Sequence, residues 1–447
     1  MWQSVSAFPT IARATLVQWH RSQKLGRKQL LPWVMALFLL AGCTNADLAR
    51  FLITPTAPAA TGATTIDPTM ASRNRLLVQG ADGNLFTINP DGTDRFDLTT
   101  DASRNRTYSQ ATWSTTGAQI GWARVDETTA GFRSALITSR ADGRARNEVE
   151  TTFAPFYLYW SPDDSKLAYL SNWISQGNQT IALQLLDVAN NSTAPTVLGT
   201  GQPFYFSWSP DGAQMITHVA GEQIALLTVI DGAVQSVSNV SASFAAPQWS
   251  ATGDQLLYAT AIDNVPQLLL TDVAGEKRTL ITNLSRNDSV SFSLNQQATH
   301  LAYVETSDQV GFSAFGPLFL YDIAAEEFTQ LSDGPVLVFA WSPDGQALFF
   351  LTAEPAGERV WLRVNIWDGE GVRRFARFAP SPVLLRTYLP FADQYMQSLR
   401  FWSPDSRAVV YAGQSEEGER GVWVQPVQGD NPAQLVAEGL FATWSPQ

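Results

Sequence analysis

The side chains that could do chemistry in this 447-residue chain are few, and their spacing is poor for it. Histidine occurs three times, as His20, His218 and His300, and the last two stand 82 residues apart. A metal site or acid–base pair built on imidazole needs such groups to converge. Each is read instead as a structural histidine. Cys43 is the only cysteine, which excludes an intrachain disulfide and a cysteine-cluster zinc site. Serine hydrolysis would need a G-x-S-x-G elbow with acid and histidine partners. The nearest string, Gly311-Phe312-Ser313-Ala314-Phe315-Gly316, has the wrong spacing. Asp163, Asp211, Asp344 and Asp405 each follow Ser-Pro, where Asp is the expected turn-capping residue, and no D-x-D-x-D-G calcium loop is present. Any two of the 41 acids could form a glycosidase-type pair, but nothing singles one out. The expectation is no catalytic residue, no metal ligand and no cofactor.

Composition narrows the class. The chain is 45% hydrophobic and 16% charged, with 24 Phe, 15 Trp and 11 Tyr, which excludes a disordered protein. Residues 1–42 hold five basic groups (Arg13, Arg21, Lys24, Arg27, Lys28) and no acid. The remainder, residues 43–447, carries a formal charge of −17. A body that acidic repels phosphate backbones, so nucleic acid is excluded as a partner.

The basic leader runs into an apolar stretch from Leu30 to Gly42, broken only by Pro32. Thirteen helical residues reach only about 20 Å, short of the ~30 Å hydrocarbon core. A basic segment followed by a short apolar one is the pattern of a secretory signal. It ends in Leu40-Ala41-Gly42-Cys43, which resembles a bacterial lipobox. That resemblance implies cleavage before Cys43, lipid on its thiol, and anchorage to the cell envelope outside the cytoplasm. Residues 1–42 are therefore expected to be a lipoprotein signal peptide. Residues 43–74, rich in Thr, Ala and Pro, are expected to be the lipidated cysteine and a flexible tether.

A repeat decides the fold of the rest. Trp-Ser-Pro-Asp starts at Trp160, Trp208, Trp341 and Trp402, with degenerate copies at Trp113, Trp249 and Phe292 and a last one at Trp444. The intervals are 47, 48, 41, 43, 49, 61 and 42 residues. Nine residues after the leading aromatic come Trp122, Tyr169, Tyr258, Phe350 and Tyr411; Thr217 breaks the pattern and Tyr303 falls two residues late. In Ser-Pro-Asp-Gly, Pro presets φ, Asp caps the turn and Gly takes the left-handed position, so the chain reverses into a hairpin. Each unit predicts four short strands. One such sheet cannot cover both its faces, but a ring of sheets can. The reading is an all-β propeller over residues 75–447. Eight blades are expected, with seven as the fallback, and a first blade stitched from N- and C-terminal strands closes the ring.

The Trp-Ser-Pro-Asp-Gly strings resemble the propeller repeats of TolB-like and WD-repeat-like bacterial proteins. The resemblance covers about residues 75–447 and implies the fold more than an activity. Ligands are expected on the face where successive blades connect. Pro155-Phe156-Tyr157 and Pro203-Phe204-Tyr205 repeat there, as do Ser103-Arg104-Asn105 and Ser285-Arg286-Asn287. The longest interval holds an insertion, roughly Phe378 to Arg400, that is rich in Pro, Tyr and Arg. Tyr and Arg are favoured at binding hot spots. The candidate ligand residues are therefore Tyr157, Tyr205, Arg104, Arg286, Arg386, Tyr388, Phe391 and Tyr395, although the insertion could equally plug the channel. The favoured function is a noncatalytic, lipid-anchored envelope scaffold that binds protein, peptide or glycan. The alternative is an extracytoplasmic hydrolase or lyase with a site at the channel mouth.

Overall fold

The computed structural model describes residues 73–240, 242, 244–284, 289–306, 315–356 and 359–447. The leader, Cys43, the tether up to residue 72 and Arg286 lie outside the described residues.

The serine of each repeat shapes the first hairpin. Buried Ser161, Ser209, Ser342 and Ser403 each donate Oγ–H to the Asp two residues on, at 2.6 Å. Each also accepts the backbone N–H five residues on, at 2.9 Å. Asp163 is held down at about 2, first by the Ser161 hydroxyl and then by the Ser165 backbone N–H. The aspartates therefore cap turns.

Three short strands open the described chain: β1 (Leu76–Gly80), β2 (Leu85–Ile88) and β3 (Phe96–Asp97). Antiparallel sheets follow, each numbered from inner to outer strand. The second blade is β4 (Arg106–Trp113), β5 (Gln119–Thr128), β6 (Gly131–Arg140) and β7 (Asn147–Thr151). The third is β8 (Pro155–Trp160), β9 (Lys166–Ser175), β10 (Asn178–Asp187) and β11 (Thr196–Gly201). The fourth is β12 (Phe204–Trp208), β13 (Gln214–Val219), β14 (Gln223–Thr228) and β15 (Val234–Ser238). The fifth is β16 (Gln248–Trp249), β17 (Gln255–Ile262), β18 (Val265–Asp272) and β19 (Arg278–Asn283). In the sixth, β20 (Ser289–Leu294), β21 (His300–Thr306) and β22 (Gly316–Asp322) pair with the start of β23 (Glu327–Trp341). The end of β23 is the inner strand of the seventh, with β24 (Leu348–Ala356), β25 (Arg359–Trp367) and β26 (Val372–Pro380). The eighth holds β27 (Ala408–Gln414), β28 (Arg420–Pro426) and β29 (Gln434–Ala437), with Trp402 bridged to Val409 as its inner edge. The last strand, β30 (Gly439–Trp444), pairs with β1 and completes the first blade.

Eight blades and closure between the two ends are both present. In the other blades the repeat serine, replaced by Asn295 in the sixth, bonds a residue across an unbroken turn, as Ser114 does with Gln119. At the closure the turn is missing, yet Ser445 and Arg75 make the same pair of bonds, at 2.8 and 2.9 Å. The buried Arg75 guanidinium is held by Thr87 Oγ1, Asn89 Oδ1 and the Asp94 carbonyl.

Neighbouring blades are tied by the repeat tryptophans. The indole N–H of Trp208 donates to Tyr159 C=O, Trp341 to Ser293, Trp402 to Ala340 and Trp113 to Thr443. Each acceptor lies one residue before the equivalent position of the preceding blade. That regularity moves the sixth repeat. Asn295, not Ser293, makes the turn with His300, so Leu294 takes the aromatic's place and Phe292 does not. Tyr303 then stands nine residues on, in register with the others.

Candidate functional site

Strand direction sorts the loops onto two faces. Inner strands end at the Ser-Pro-Asp turns, so those turns and both ends of the described residues, 73 and 447, share one face. The second-to-third-strand hairpins and the connections between blades share the other. The Leu384–Leu399 insertion and the loop over residues 98–105 belong to this connection face.

The insertion turns into the ring. It runs as a π-helical turn (Leu384–Tyr388), a 3-10 turn (Leu389–Phe391) and a short α-helix (Ala392–Tyr395). Tyr388 stacks on Phe441 of β30 with ring centroids 4.0 Å apart. Tyr395 meets Tyr388 edge-on at 4.8 Å and Tyr157 of β8 at 5.5 Å. Its hydroxyl donates to Gln110 Oε1 at 2.9 Å, and the same oxygen accepts the Tyr157 N–H at 3.2 Å. Tyr157 stacks on Tyr205 at 6.1 Å and donates its hydroxyl to Phe206 C=O at 3.0 Å. Further along, Thr112 Oγ1 donates to Ser398 C=O at 3.2 Å, and the Arg400 N–H donates to Thr443 Oγ1 at 2.9 Å. The insertion therefore touches the inner strands of the first, second and third blades, and its helix also touches β23.

The structure thus brings four of the expected ligand residues together, and brings them together inside the protein. Tyr157, Tyr205, Tyr388 and Tyr395 are all buried, and desolvation pushes their hydroxyl pKa values up. Tyr157 and Tyr205 sit on inner strands and not on connecting loops. Gln110 and Tyr157 both have positive φ, +58° and +49°, at bulges of β4 and β8. That conformation is strained for an aromatic residue and is held by the Gln110 bonds and ring contacts. Phe391 is half-buried against the same cluster. Arg386 and Arg104 are exposed, Arg104 on the loop that enters the second blade. Sequence reasoning passed over Gln110 and Asp393, which sit among the tyrosines, and counted Arg400 only as part of the insertion. Desolvation lowers the Arg400 pKa, offset by the nearby Tyr159 and Asp164.

The histidines stay apart. His218 is buried, with Nδ1 2.8 Å from the Ala245 carbonyl, and burial lowers its pKa. His300 lies beside Asp322, Trp341 and Trp367 in another blade. Among the described residues no three His, Cys, Asp or Glu side chains stand close enough to hold a metal.

A groove of about 460 Å³ opens on the connection face beside the second blade. It is lined by Asp101, Ser103, Asn105, Arg106, Arg124, Asp126, Glu127, Thr128, Arg133 and Glu150, with Arg104 on the same loop. Its cause is a difference in blade height. Arg75 and Gln119 hold equivalent places, so β1 ends at Gly80, level with Arg124, while β5 runs on to Thr128. The second blade overtops the first by about four residues, or roughly 13 Å.

No family model matches the chain, and no curated protein sequence matches it significantly. Solved structures do. The dihydro-heme d1 dehydrogenase NirN is similar over 88% of this chain and 78% of its own, with 12% identity and a TM-score of 0.53. TolB from Acinetobacter baumannii is similar over 72% and 85%, with 17% identity and a TM-score of 0.36. The β-propeller domain of the Trilobed protease from Pyrococcus furiosus is similar over 75% and 98%, with 12% identity and a TM-score of 0.46. The likeness is one of fold. At these identities it carries no activity across to this chain.

Proposed function

We propose that this protein is a noncatalytic β-propeller scaffold, lipid-anchored through Cys43 in a bacterial cell envelope, that binds a protein, peptide or glycan partner on its connection face. The observation that carries this reading is the filled channel. A ring of blades offers its deepest concavity at the channel mouth, and here Tyr388, Tyr395 and their neighbours occupy it as core. What remains for a partner is the face around the plug, with Arg104, Arg386 and the groove. The described residues begin and end on the opposite face, so a tether running from Cys43 to residue 73 would leave that binding face turned away from its anchor. The alternative, an extracytoplasmic hydrolase or lyase, would need the plug to leave the channel mouth before substrate could enter.

The test is photo-crosslinking of the full chain in the cells that make it. A photoreactive residue at Arg104 or Arg386 should capture a discrete partner. The same residue at Asn190, exposed on the turn face, should capture none. Equal capture from all three positions, or none from any, would contradict the reading.

A further inference from the structure

The groove beside the second blade has a charge pattern that selects its ligand. Its floor is a chain of opposite charges. Arg106 pairs with Asp101 at 2.5 Å and with Asp126 at 2.6 Å; Arg124 pairs with Asp126 at 2.8 Å and with Glu148 at 2.6 Å. The Tyr108 hydroxyl donates to Asp101 at 2.6 Å, and desolvation with that bond pushes it up to about 12. Hydrogen bonds to Asp126 and Asp101 raise the Arg106 pKa, and the Tyr108 hydroxyl keeps Asp101 low. The Arg124 and Asp126 side chains are only 14% exposed. Each floor charge thus already has its counter-ion. Beside these compensated pairs the groove carries free groups of both signs, Arg133 against Glu127 and Glu150, so a ligand of either net charge meets a like charge as well as an opposite one.

The reachable groups tell the same story. Asn105, Arg133, Glu127 and Glu150 also line the groove; all four are exposed, and their side chains make no hydrogen bond or ion pair among the described residues. The loop carrying Asn105 is fixed to the hairpin by Glu127 N–H to Asn105 C=O at 2.7 Å. The wall therefore offers both donors (guanidinium, amide) and acceptors (carboxylate, amide oxygen). A vicinal diol suits such a wall, because each hydroxyl can donate to a carboxylate while accepting from a guanidinium. The volume falls inside the ~300–1,000 Å³ range of small-molecule sites.

We propose that this groove binds a neutral, hydroxyl-rich saccharide, with Asn105, Arg133 and Glu150 as its direct contacts and the Arg106–Asp126–Arg124 chain as its fixed floor. The proposal rests on the scaffold reading and names the ligand class for one part of that face.

The experiment titrates the full-length detergent-purified protein with neutral tetrasaccharides (chitotetraose, cellotetraose, maltotetraose). Deacetylated chitotetraose and tetragalacturonate serve as cationic and anionic counterparts, and calorimetry or ligand-observed NMR as readout. At least one neutral sugar should bind, and the charged ones at least tenfold more weakly. Asn105→Ala with Arg133→Ala should weaken binding at least tenfold at an unchanged melting temperature. Ser103→Trp, which fills the groove without touching those contacts, should block it. The proposal is overturned if no neutral sugar binds, if binding survives both variants, or if a charged sugar or a peptide binds the groove instead. Crosslinking at Arg386 tests the scaffold separately, so a captured protein without sugar binding would sink this inference and leave the scaffold reading standing.

Discussion

At the scale of single residues, the repeat tryptophans divide into two kinds. Trp113, Trp208, Trp341 and Trp402 tie to the preceding blade through their indole N–H, whereas Trp160, Trp249 and Trp444 bury that group without a partner among the described residues. Trp402→Phe removes a made bond, and Trp160→Phe removes an unmade one. Trp402→Phe should therefore cost about 1 kcal/mol more in denaturant unfolding. Equal costs would show that the ties are incidental. His218 supplies a pH signature. Its folded pKa lies below the unfolded value of about 6.5, so the unfolded chain gains a proton there that the folded chain resists. Stability should fall as pH drops from 7 to 5.5, and His218→Gln should remove that component of the fall. The sequence was legible here as far as the aromatics went. The sixth repeat was misplaced because Phe292 offers an aromatic two residues before the true position, held by Leu294. Only the hydrogen bonds of Asn295 restore the register.

At the scale of elements, the hairpins were readable and the insertion was not. Ser-Pro-Asp-Gly specifies its turn through local bonds, so sequence alone predicts it. Whether Tyr388 and Tyr395 face a ligand or the core depends on strands distant in sequence, such as β30 and β4, whose Gln110 is 285 residues from Tyr395. Because these aromatics are core, replacing them should destabilise the protein. Tyr388→Ala should cost about 3 kcal/mol or more, as a large buried ring does, while Arg104→Ala on the exposed loop should stay within about 0.5 kcal/mol. Thermal or chemical melts of the two variants decide it. A Tyr388→Ala protein as stable as wild type would mean the plug is loosely held. The groove was invisible in the sequence for another reason. It lies where β4, β5 and β6 run past the level at which the shorter β1, β2 and β3 stop, and no residue motif records how far a strand runs.

At the scale of the molecule, the ring puts its ends on one face and its plug and groove on the other. If the lipobox resemblance holds, Cys43→Ala should move the protein from the membrane fraction to the soluble one, and retention at the membrane would contradict the anchor. The groove, the plug and the two-faced layout all depend on β1 and β30 forming one sheet. Removal of Gly439 to Gln447 tests that dependence most directly, by following the tryptophan fluorescence and far-ultraviolet signals through thermal unfolding. Because every blade is braced by its neighbours, the account predicts that this deletion abolishes the cooperative transition of the whole domain. A truncated chain that still melts cooperatively near the wild-type temperature would contradict it.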